Sequence, residues 1–455
     1  MKKAFILILS LFFITGLFAK NAKVLYPPAG NTAPLDYDNV SSDYKTPSDF
    51  FEANYRATWN SLSEFEQYAI AFSSNLFQLN RQYHLDFTGR TTLNQSSSDP
   101  AALLKNSWGI TDGESLIQMF DSLEEYGHSG AFKKLSDYLD QYPDKNPFEI
   151  AVQEKLDILD VTRLLFVKDK RKAMGSHGIE AWDEGREITI LRWGVACGYI
   201  TQQKAKELIE PLIARIRQNY TSWSEYIDHY ITGRQFYGLY DCSQNDLMVD
   251  AIMANYKAEA YVPLDSISFT GKKADKAALK TPGREESEDF IKWQRVQKLY
   301  NDGIKKENFE ELKKLEAEYS EYPTLFFWWH MQMLASYGTN EDIADYVEQN
   351  ADYLAYLDQD GEVFVNSMYY YVSALNGLFK PWKTLEIISA LPENLQYNIY
   401  YFYQYAYANY LMLSVCTTQE EFDAYKQRAK NAFKLLKQNN YQLNEILDNW
   451  LNNVE

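Results

Sequence analysis

Apolar side chains recur every three or four residues along most of this chain, and that spacing constrains its fold more than any other feature. A residue with this spacing returns to the same face of an α-helix, so each such run predicts a helix with one buried side. The run after Thr201 comprises Ala205, Leu208, Ile209, Leu212, Ile213 and Ile216. Capping sequences precede other runs, as in Thr111-Asp112-Gly113-Glu114 and Ser222-Trp223-Ser224-Glu225. The sequence therefore predicts an all-α fold.

The first half of the chain is predicted to form a multi-helix domain over residues 47–261. Thr46-Pro47-Ser48-Asp49 is typical of a helix start, and Thr88 to Pro100 is predicted to be a polar loop. Further helices are predicted at 114–126, 130–141, 147–168, 180–197, after Thr201 with a kink at Pro211, and from Ser222 to about Tyr237. Gly198 is suited to a left-handed C-terminal cap. The segment from Lys168 to Arg171 is predicted to be a short, solvated basic run.

The second half is predicted to be a separate helical domain over residues 289–455. Proline, glycine and lysine interrupt the helical pattern over 262–288, which indicates a linker or a long loop. The helices predicted beyond it are Phe309–Tyr319, Thr324–Tyr337, Asn340–Leu357, Phe364–Leu378, Trp382–Leu391, Leu395–Cys416 and Thr418–Leu436. Helix pairs of this size suggest an α-solenoid of the tetratricopeptide type. Without a fixed period, an irregular helical arrangement is an equal alternative.

The N-terminus has the pattern of a secretory signal peptide over residues 1–19. Lys2 and Lys3 precede an apolar run from Ala4 to Phe18, and Ala19 supplies a small residue at the cleavage position. An uncleaved membrane anchor is the alternative. Residues 20–46 are expected to be an extended leader, and no other stretch reaches the ~20 apolar residues that a span needs. We therefore expect an exported protein of the periplasm or the cell exterior, without a stable membrane span after cleavage.

The formal net charge of −18 excludes two classes of partner. Nucleic acids and anionic lipids are both recognised through basic surfaces, which an acidic chain of this kind does not offer. Neither is expected as a partner, and the sequence leaves the oligomeric state undetermined.

The middle of the chain resembles the bacterial family called domain of unknown function 1266. The resemblance covers residues of about 101–240 and depends on several tryptophans, glycines and arginines at set spacings. They occur in Trp108-Gly109-Ile110, Gly127-His128, Ala181-Trp182-Asp183-Glu184-Gly185-Arg186, Leu191-Arg192-Trp193-Gly194, Gly198-Tyr199, Ser222-Trp223-Ser224-Glu225 and Tyr230-Ile231-Thr232-Gly233-Arg234. The resemblance implies a helical domain and no established activity.

Arginines and aromatic residues alternate on two predicted helices. Helical spacing puts Arg186 on one stripe with Trp182 and Trp193, and Arg234 on another with Trp223 and Tyr230. In the structural interpretation, Asp183 and Glu225 neutralise these arginines. In the functional one, Arg186 and Arg234, joined by Arg192, bind an anionic ligand such as a carboxylate, a phosphate or an acidic peptide end.

No catalytic or metal-binding motif accompanies these arginines. The five histidines, His84, His128, His177, His229 and His330, lack metal-ligand spacing, and Gly127-His128-Ser129-Gly130 is not a nucleophile elbow. Asp183, Glu184 and Glu187 could supply a general acid–base pair, but charged residues on a helix are usually solvated or paired. We therefore expect no cofactor and no metal, and favour a protein that is not an enzyme.

Aromatic runs mark the C-terminal half: Phe326-Phe327-Trp328-Trp329, Tyr369-Tyr370-Tyr371 and Tyr400-Tyr401-Phe402-Tyr403. Most of these side chains are expected in the core, while a tyrosine-lined face able to bind a peptide or sugar is the functional alternative. The sequence leaves three functions open: a binding or scaffold protein for a protein or peptide partner, an enzyme acting on an anionic or carbohydrate substrate, and a structural envelope protein.

Overall fold

In the computed structural model, the described residues are 58–80, 87–88, 99–240, 267, 269 and 286–454, and all regular secondary structure among them is helical. The predicted all-α class is confirmed. Contacts divide the chain into unit 1, Met1–Ala151 with Leu159–Gln297, and unit 2, Val152–Ile158 with Lys298–Glu455. The predicted signal peptide, leader and most of the predicted linker lie outside the described residues. In the described ranges, no helix has the length and apolar character that crossing a bilayer requires.

The described helices are numbered in chain order. Those of the first half are α1 (Glu64–Leu79), α2 (Pro100–Trp108), α3 (Gly113–Tyr126), α4 (His128–Gln141), α5 (Pro147–Gln153), α6 (Ile158–Met174), α7 (Glu180–Cys197), α8 (Gln202–Asn219) and α9 (Trp223–Tyr237). Those of the second half are α10 (Glu288–Asn301), α11 (Phe309–Glu318), α12 (Phe327–Tyr337), α13 (Asn340–Gln349), α14 (Ala351–Ala355), α15 (Glu362–Gly377), α16 (Pro381–Ala390), α17 (Glu393–Gln396), α18 (Ile399–Met412), α19 (Gln419–Gln438) and α20 (Glu445–Asn453).

Helix α7 is the centre of unit 1. It contacts α1, α2, α3, α4, α8 and α9, and every residue from Ala181 to Gly194 is buried. A helix surrounded in this way is usually apolar on all sides. This one carries five buried charged residues, so each of them must find its partner inside the protein. The buried charged side chains are Asp183, Glu184, Arg186, Glu187 and Arg192.

Two glycines allow α7 and α9 to approach closely. A Cβ atom on Gly185 would lie 2.7 Å from Cε2 of Tyr230 and 3.2 Å from the hydroxyl of Tyr226. A Cβ atom on Gly233 would collide with Trp182. The glycines that interrupt the aromatic and arginine pattern are therefore contact points between helices.

The capping predictions are confirmed in part. Gly198 ends α7 with φ +74°, the left-handed conformation expected there. Ser222 caps α9 by accepting from the N–H of Glu225. The predicted box of Thr111 with Glu114 is wrong by one residue: Asp112 is the N-cap and exchanges hydrogen bonds with Ser115. Asp112 and Ser115 satisfy the free backbone N–H groups at the helix start, as the predicted pair of Thr111 and Glu114 would have done, because both carry a side-chain oxygen that can accept a hydrogen bond.

The single helix predicted over 147–168 is two helices, α5 and α6. The chain turns between them at Lys155, whose φ is +55°. The basic run Lys168 to Arg171, predicted to be solvated, is part of α6, which continues to Met174, and only some of its side chains reach solvent. Its side chains therefore diverge: Lys170 is buried, while Arg171 forms an ion pair with Asp140.

Unit 2 confirms the helical class without confirming the repeat. The predicted helices correspond to α11 to α19, except that Asn340–Leu357 breaks at Asn350 and Leu395–Cys416 breaks at Asn398. Both asparagines bond the local backbone, Asn350 to the carbonyl of Tyr346 and Asn398 to the N–H of Tyr400, which favours an end or a start of a helix.

Two apolar clusters belong to the core of unit 2 within the described residues. The first is formed largely by α12, α13, α15 and α16, and the second by α18, α19 and α20. Solenoid and irregular arrangement remain alternatives for this unit.

Candidate functional site

Arg186 and Asp183 form a buried ion pair on α7. A guanidinium N–H of Arg186 donates to Oδ1 of Asp183, and their side chains expose only 8% and 4% of their surface. The guanidinium also lies over two indoles, 5.1 Å from the ring of Trp182 and 5.7 Å from that of Trp108. Charge pairing and cation–π contact therefore hold the same side chain.

The carboxylate of Asp183 also caps a neighbouring helix. Its Oδ2 atom accepts from the backbone N–H of Ser129 at 2.7 Å, in the first turn of α4. Burial alone raises the pKa of Asp183, but Arg186, His128 and the hydrogen bonds from Ser129 outweigh it and lower this pKa below its ordinary value. Asp183 is thus a stable internal anion at a helix N-terminus, where negative charge is favoured.

His128 lies beside this pair as a neutral side chain. Nε1 of Trp182 donates to Nδ1 of His128 at 3.2 Å. Burial, reinforced by the positive charges of Arg186, Arg163 and Arg234, lowers the pKa of His128 to about 3 against the opposing effect of Asp183. His128 consequently accepts a hydrogen bond at neutral pH and contributes no charge.

The surroundings of His128 are therefore electropositive apart from Asp183. Arg234 is buried and lies over the ring of Tyr237 at 5.1 Å, and it acts together with Arg186 on the hydroxyl of Tyr230. We call this group of His128, Trp182, Asp183, Arg186 and Arg234 the positive cluster. A positive cluster of this kind attracts an anion, and the carboxylate of Asp183 in the same chain already supplies one.

The structure does not bring all the predicted site residues together. Trp182, Asp183, Arg186, Tyr230 and Arg234 meet at the positive cluster, where Trp182 and Tyr230 pack edge to face at 5.2 Å.

The other three predicted residues, Arg192, Trp193 and Trp223, make contacts elsewhere. Arg192 is fully buried and donates to the carbonyl of Phe87 and to the hydroxyl of Ser73. Trp193 packs on Phe77 at 5.7 Å, and Nε1 of Trp223 donates to the carbonyl of Ile267 at 3.1 Å.

Two details of the predicted arginine stripes are wrong. The second indole beside Arg186 is Trp108 of α2 rather than Trp193, because α2 lies against the face of α7 that carries Arg186. Glu225 does not neutralise an arginine as predicted. Its carboxylate accepts from the N–H and hydroxyl of Thr221 at the start of α9.

A second group of charges lies on the adjacent face of α7, where three carboxyl groups surround one guanidinium. Arg215 of α8 bonds Glu184 at 3.1 Å and Glu124 of α3 at 2.8 Å, and lies 3.6 Å from Glu187. Glu184 and Glu187 are almost completely buried, whereas Arg215 and Glu124 are partly exposed. We call these four residues the acidic cluster. Burial raises the pKa of Glu184 to about 7 and that of Glu187 to about 8, against the opposing effect of Arg215.

Unit 2 presents a different kind of surface, which we call the tyrosine cluster. It consists of Tyr369, Tyr400, Tyr403, Tyr407 and Tyr441, contributed by α15, α18 and the segment after α19. Ring centroids lie 6.1 Å apart for Tyr369 and Tyr400 and 5.1 Å apart for Tyr403 and Tyr441. Tyr403 and Tyr407 stack at 6.1 Å with an interplanar angle of 7°.

The aromatic runs of unit 2 thus divide between core and surface. Tyr371 and Tyr401 are buried, as expected for most of these side chains, while Tyr369 and Tyr403 are half-buried and Tyr400 is 58% exposed.

No group of histidine, cysteine, aspartate and glutamate side chains within the described ranges is arranged to hold a metal ion. Sequence reasoning missed the residues that reach α7 from other helices: His128, Ser129, Arg215 and Glu124. The pairing of Ser129 and Asp183 joins positions 54 residues apart, as does that of His128 and Trp182, and the pairing of Arg215 and Glu184 joins positions 31 apart. Local spacing carries no signal for such pairs, although the resemblance did single out Gly127-His128.

Residues 103–261 contain both charged clusters and match one protein family. This family is described as "Protein of unknown function (DUF1266)". The predicted resemblance to it is confirmed, and the conspicuous residues of the DUF1266 region are those that pack and neutralise α7. Residues 298–455 of unit 2, which include the tyrosine cluster, lie outside the match.

Two curated relatives from Escherichia coli (strain K12) share part of this sequence. Uncharacterized protein YbeU is 27% identical over 152 residues, which cover 33% of this chain and 63% of the relative. Uncharacterized protein YbeR is 24% identical over 135 residues, which cover 30% of this chain and 56% of the relative. The chain thus matches little more than half the length of each. No solved structure matches it.

Proposed function

We propose that this chain is a binding or scaffold protein that recognises a protein or peptide partner through the tyrosine cluster of unit 2. The observation that carries the proposal is a group of tyrosine rings in mutual contact that are not fully covered by the core of unit 2. Tyr400 is 58% exposed and the other four are half-buried, although they contact one another closely. Contiguous exposed aromatic surface is typical of interaction sites.

The chemistry of tyrosine suits a peptide partner. A phenol offers a large apolar face with a polar tip, and only two side-chain torsions are fixed on binding. Tyrosine is accordingly enriched at the cores of interfaces, where few residues supply most of the binding energy. The net charge of −18 favours association with basic rather than acidic partners. The partner we expect is a segment with apolar or aromatic anchors flanked by basic residues.

The rival function, an enzyme acting on an anionic or carbohydrate substrate, would require Arg186, Asp183 and Arg234 to meet a substrate. Their burial, and the ion pair of Arg186 with Asp183, favour the binding protein instead. The charge of the Arg186 guanidinium is neutralised by Asp183 and its face is covered by the indoles of Trp182 and Trp108, so it has little charge left to offer a ligand.

Export is part of the proposal. The signal peptide predicted over residues 1–19 would deliver the chain to the periplasm or the cell exterior. N-terminal sequencing of the mature protein, recovered from the periplasmic or culture fraction, should begin at Lys20. A chain that retains Met1 and sediments with the membrane would contradict export.

Panning a random peptide library against the purified full chain tests the binding function. We expect enrichment of sequences with aromatic and basic residues. The double substitution Tyr400→Ser with Tyr403→Ser should weaken the binding of a selected peptide by about tenfold or more, since interface tyrosines are frequent hot spots. Tyr356→Ser is the matched control, because Tyr356 is a 74% exposed tyrosine of the same unit outside the tyrosine cluster.

The control variant should bind as tightly as the wild-type chain. Equal losses in both variants, or a library that enriches no common sequence, would overturn the proposal. A purely structural envelope protein, the third function left open by the sequence, would give the second of these results.

A further inference from the structure

Glu184 and Glu187 are the most unusual carboxyl groups of the described chain, because they lie side by side in the core with too few partners. Their residues expose 2% and 1% of their surface. The Oε2 atoms of both side chains are buried without a hydrogen-bond partner. A buried ionised carboxylate with an unsatisfied oxygen is costly, so the pair must be stabilised by something besides Arg215.

The charges around the pair do not balance when every acid is ionised. Arg215 is the positive group, and it is shared with Glu124 at the surface. Hydrogen bonds from Arg215 to Glu124 and Glu184 outweigh its burial and raise its pKa, so the guanidinium keeps its charge throughout the working range of pH. Three carboxylates facing one guanidinium leave an excess of negative charge next to the core.

We propose that Glu184 and Glu187 form a proton-binding site, which holds a proton between the two carboxyl groups at neutral pH and loosens the packing of α7 against α3 and α8 when that proton is lost. A proton is the cation that fits this place, because it needs no additional room between packed helices. The protonated group can donate where an ionised one can only accept, so it removes charge and adds a donor at once. Carboxyl pairs that share one proton follow the same principle.

The other titratable groups facing the pair oppose ionisation. Glu124 faces it from α3, and Glu180 and Asp183 face it from α7 itself; their negative charges raise the pKa values of the pair. Burial raises the pKa of Tyr220, which follows α8, so its hydroxyl stays neutral, and the hydroxyl oxygen accepts from the backbone N–H of Ala181. From α9, the hydroxyl of Tyr226 lies near the carbonyls of Phe72 and Ala181. Arg215 is thus the group that favours ionisation.

The sign of the pH dependence follows from these surroundings. Both glutamates have folded-state pKa values above the ordinary 4.5, at about 7 and about 8. Between the ordinary pKa of 4.5 and the folded-state values of about 7 and about 8, the folded state binds more protons than the unfolded state. The stability that the pair contributes is therefore fully present below about pH 4.5 and is lost as the pH rises through 7 and 8.

Hydrogen exchange of the full chain, read by mass spectrometry on peptides of α7 and α8, tests the proposal. After correction for intrinsic exchange, we expect protection of these helices to fall by about tenfold or more per pH unit between about pH 6 and about pH 7, where the folded state binds one to two more protons than the opened state, and to level off above about pH 8. The substitution Glu187→Gln, alone and combined with Glu184→Gln, should flatten this dependence because an amide cannot ionise.

Glu210→Gln is the matched control, since Glu210 is an exposed glutamate on α8 paired with Lys206 at the surface. It should leave the pH dependence of the wild-type chain unchanged. The proposal is overturned if protection in the wild-type chain is independent of pH over this range. It is equally overturned if the glutamine variants and the control show the same slope as the wild-type chain.

Discussion

The positive cluster and the acidic cluster lie on adjacent faces of the same helix, α7, and are balanced in opposite ways. In the positive cluster, the single carboxylate of Asp183 accepts hydrogen bonds from the guanidinium of Arg186 and the N–H of Ser129, and these partners lower its pKa. In the second, Glu184 and Glu187 share Arg215 with Glu124, and burial raises their pKa values. Asp183 has enough hydrogen-bond donors and positive charge around it to stay ionised, whereas Glu184 and Glu187 have too few.

This difference shows that burial by itself does not decide the state of a charged side chain. All three acids are at least 97% buried, yet the partners that surround them set opposite protonation at neutral pH. A surplus of donors makes Asp183 a structural element that joins α4 to α7. A shortage of donors makes Glu184 and Glu187 responsive to pH. Substitutions that change the partners on one face at a time can separate the two effects.

The largest effect is expected from Arg186→Met. This change keeps an unbranched side chain between Trp182 and Trp108 but leaves Asp183 as a buried anion without its counter-charge, which typically costs about 3–5 kcal/mol. Urea denaturation of the full chain, followed by far-UV circular dichroism, would measure the loss in the free energy of unfolding.

Arg171→Met serves as the comparison for Arg186→Met. It removes a partly exposed guanidinium that pairs with Asp140, and such pairs contribute less than about 1 kcal/mol. Equal losses in the two variants would show that Asp183 does not depend on Arg186.

Gly185→Ala is expected to have the next largest effect, because it separates the two helices that support the positive cluster. The added methyl group would meet the ring of Tyr230 and the hydroxyl of Tyr226. Overpacking of this kind costs about 1–3 kcal/mol. Thermal unfolding should show a lowered midpoint, whereas Gly130→Ala, at a position with room for a methyl group, should not. A tolerated Gly185→Ala would mean that α7 and α9 can separate without consequence.

Arg215→Met should destabilise the chain by a smaller amount that depends on pH. Below about pH 5 both buried glutamates are protonated in the folded state and the guanidinium has little to neutralise. Near pH 8 its loss leaves ionising carboxyl groups unpaired, and because Arg215 is 40% exposed we expect a cost of only about 1–2 kcal/mol. Denaturation curves at both pH values would measure the difference, and a cost that is larger at the lower pH would contradict the balance assigned to the acidic cluster.

The smallest effect, with the opposite sign, is expected from Glu187→Gln. An amide of the same shape removes an ionisable group that the folded state disfavours, so the chain should be slightly more stable near pH 8, by less than about 1 kcal/mol, and unchanged near pH 5. The same thermal unfolding assay measures it. Destabilisation at both pH values would indicate that the ionised form of Glu187 supports the fold.

The helices were predictable from sequence because their determinants are local. The apolar face of α8, the cap at Thr201 and the left-handed Gly198 are each read from neighbouring residues. The pairing of Asp183 with Arg186 was predictable for the same reason, because the two residues are one helical turn apart. Breaks such as those at Lys155 and Asn398 were missed, since the apolar pattern continues across them.

The acidic cluster could not be assembled from the sequence. The sequence marks Glu184 and Glu187 as candidates for an acid–base pair. Their burial, however, follows from the packing of α3 and α8 around α7, and Arg215 and Glu124 reach them from those helices. The number of partners that each acid finds is a property of the tertiary fold. The same holds for the positive cluster, where His128 and Ser129 come from α4.

Titration of the side-chain carboxyl carbons by NMR tests the opposite balance of the two clusters most directly. The full chain would be labelled with ¹³C at the aspartate and glutamate carboxyl groups, and signals assigned with Asp183→Asn, Glu184→Gln and Glu187→Gln. We predict that Asp183 titrates below the ordinary range of aspartate and that Glu184 and Glu187 titrate well above that of glutamate, near 7 and 8. Three midpoints near the ordinary value of about 4 would contradict the account.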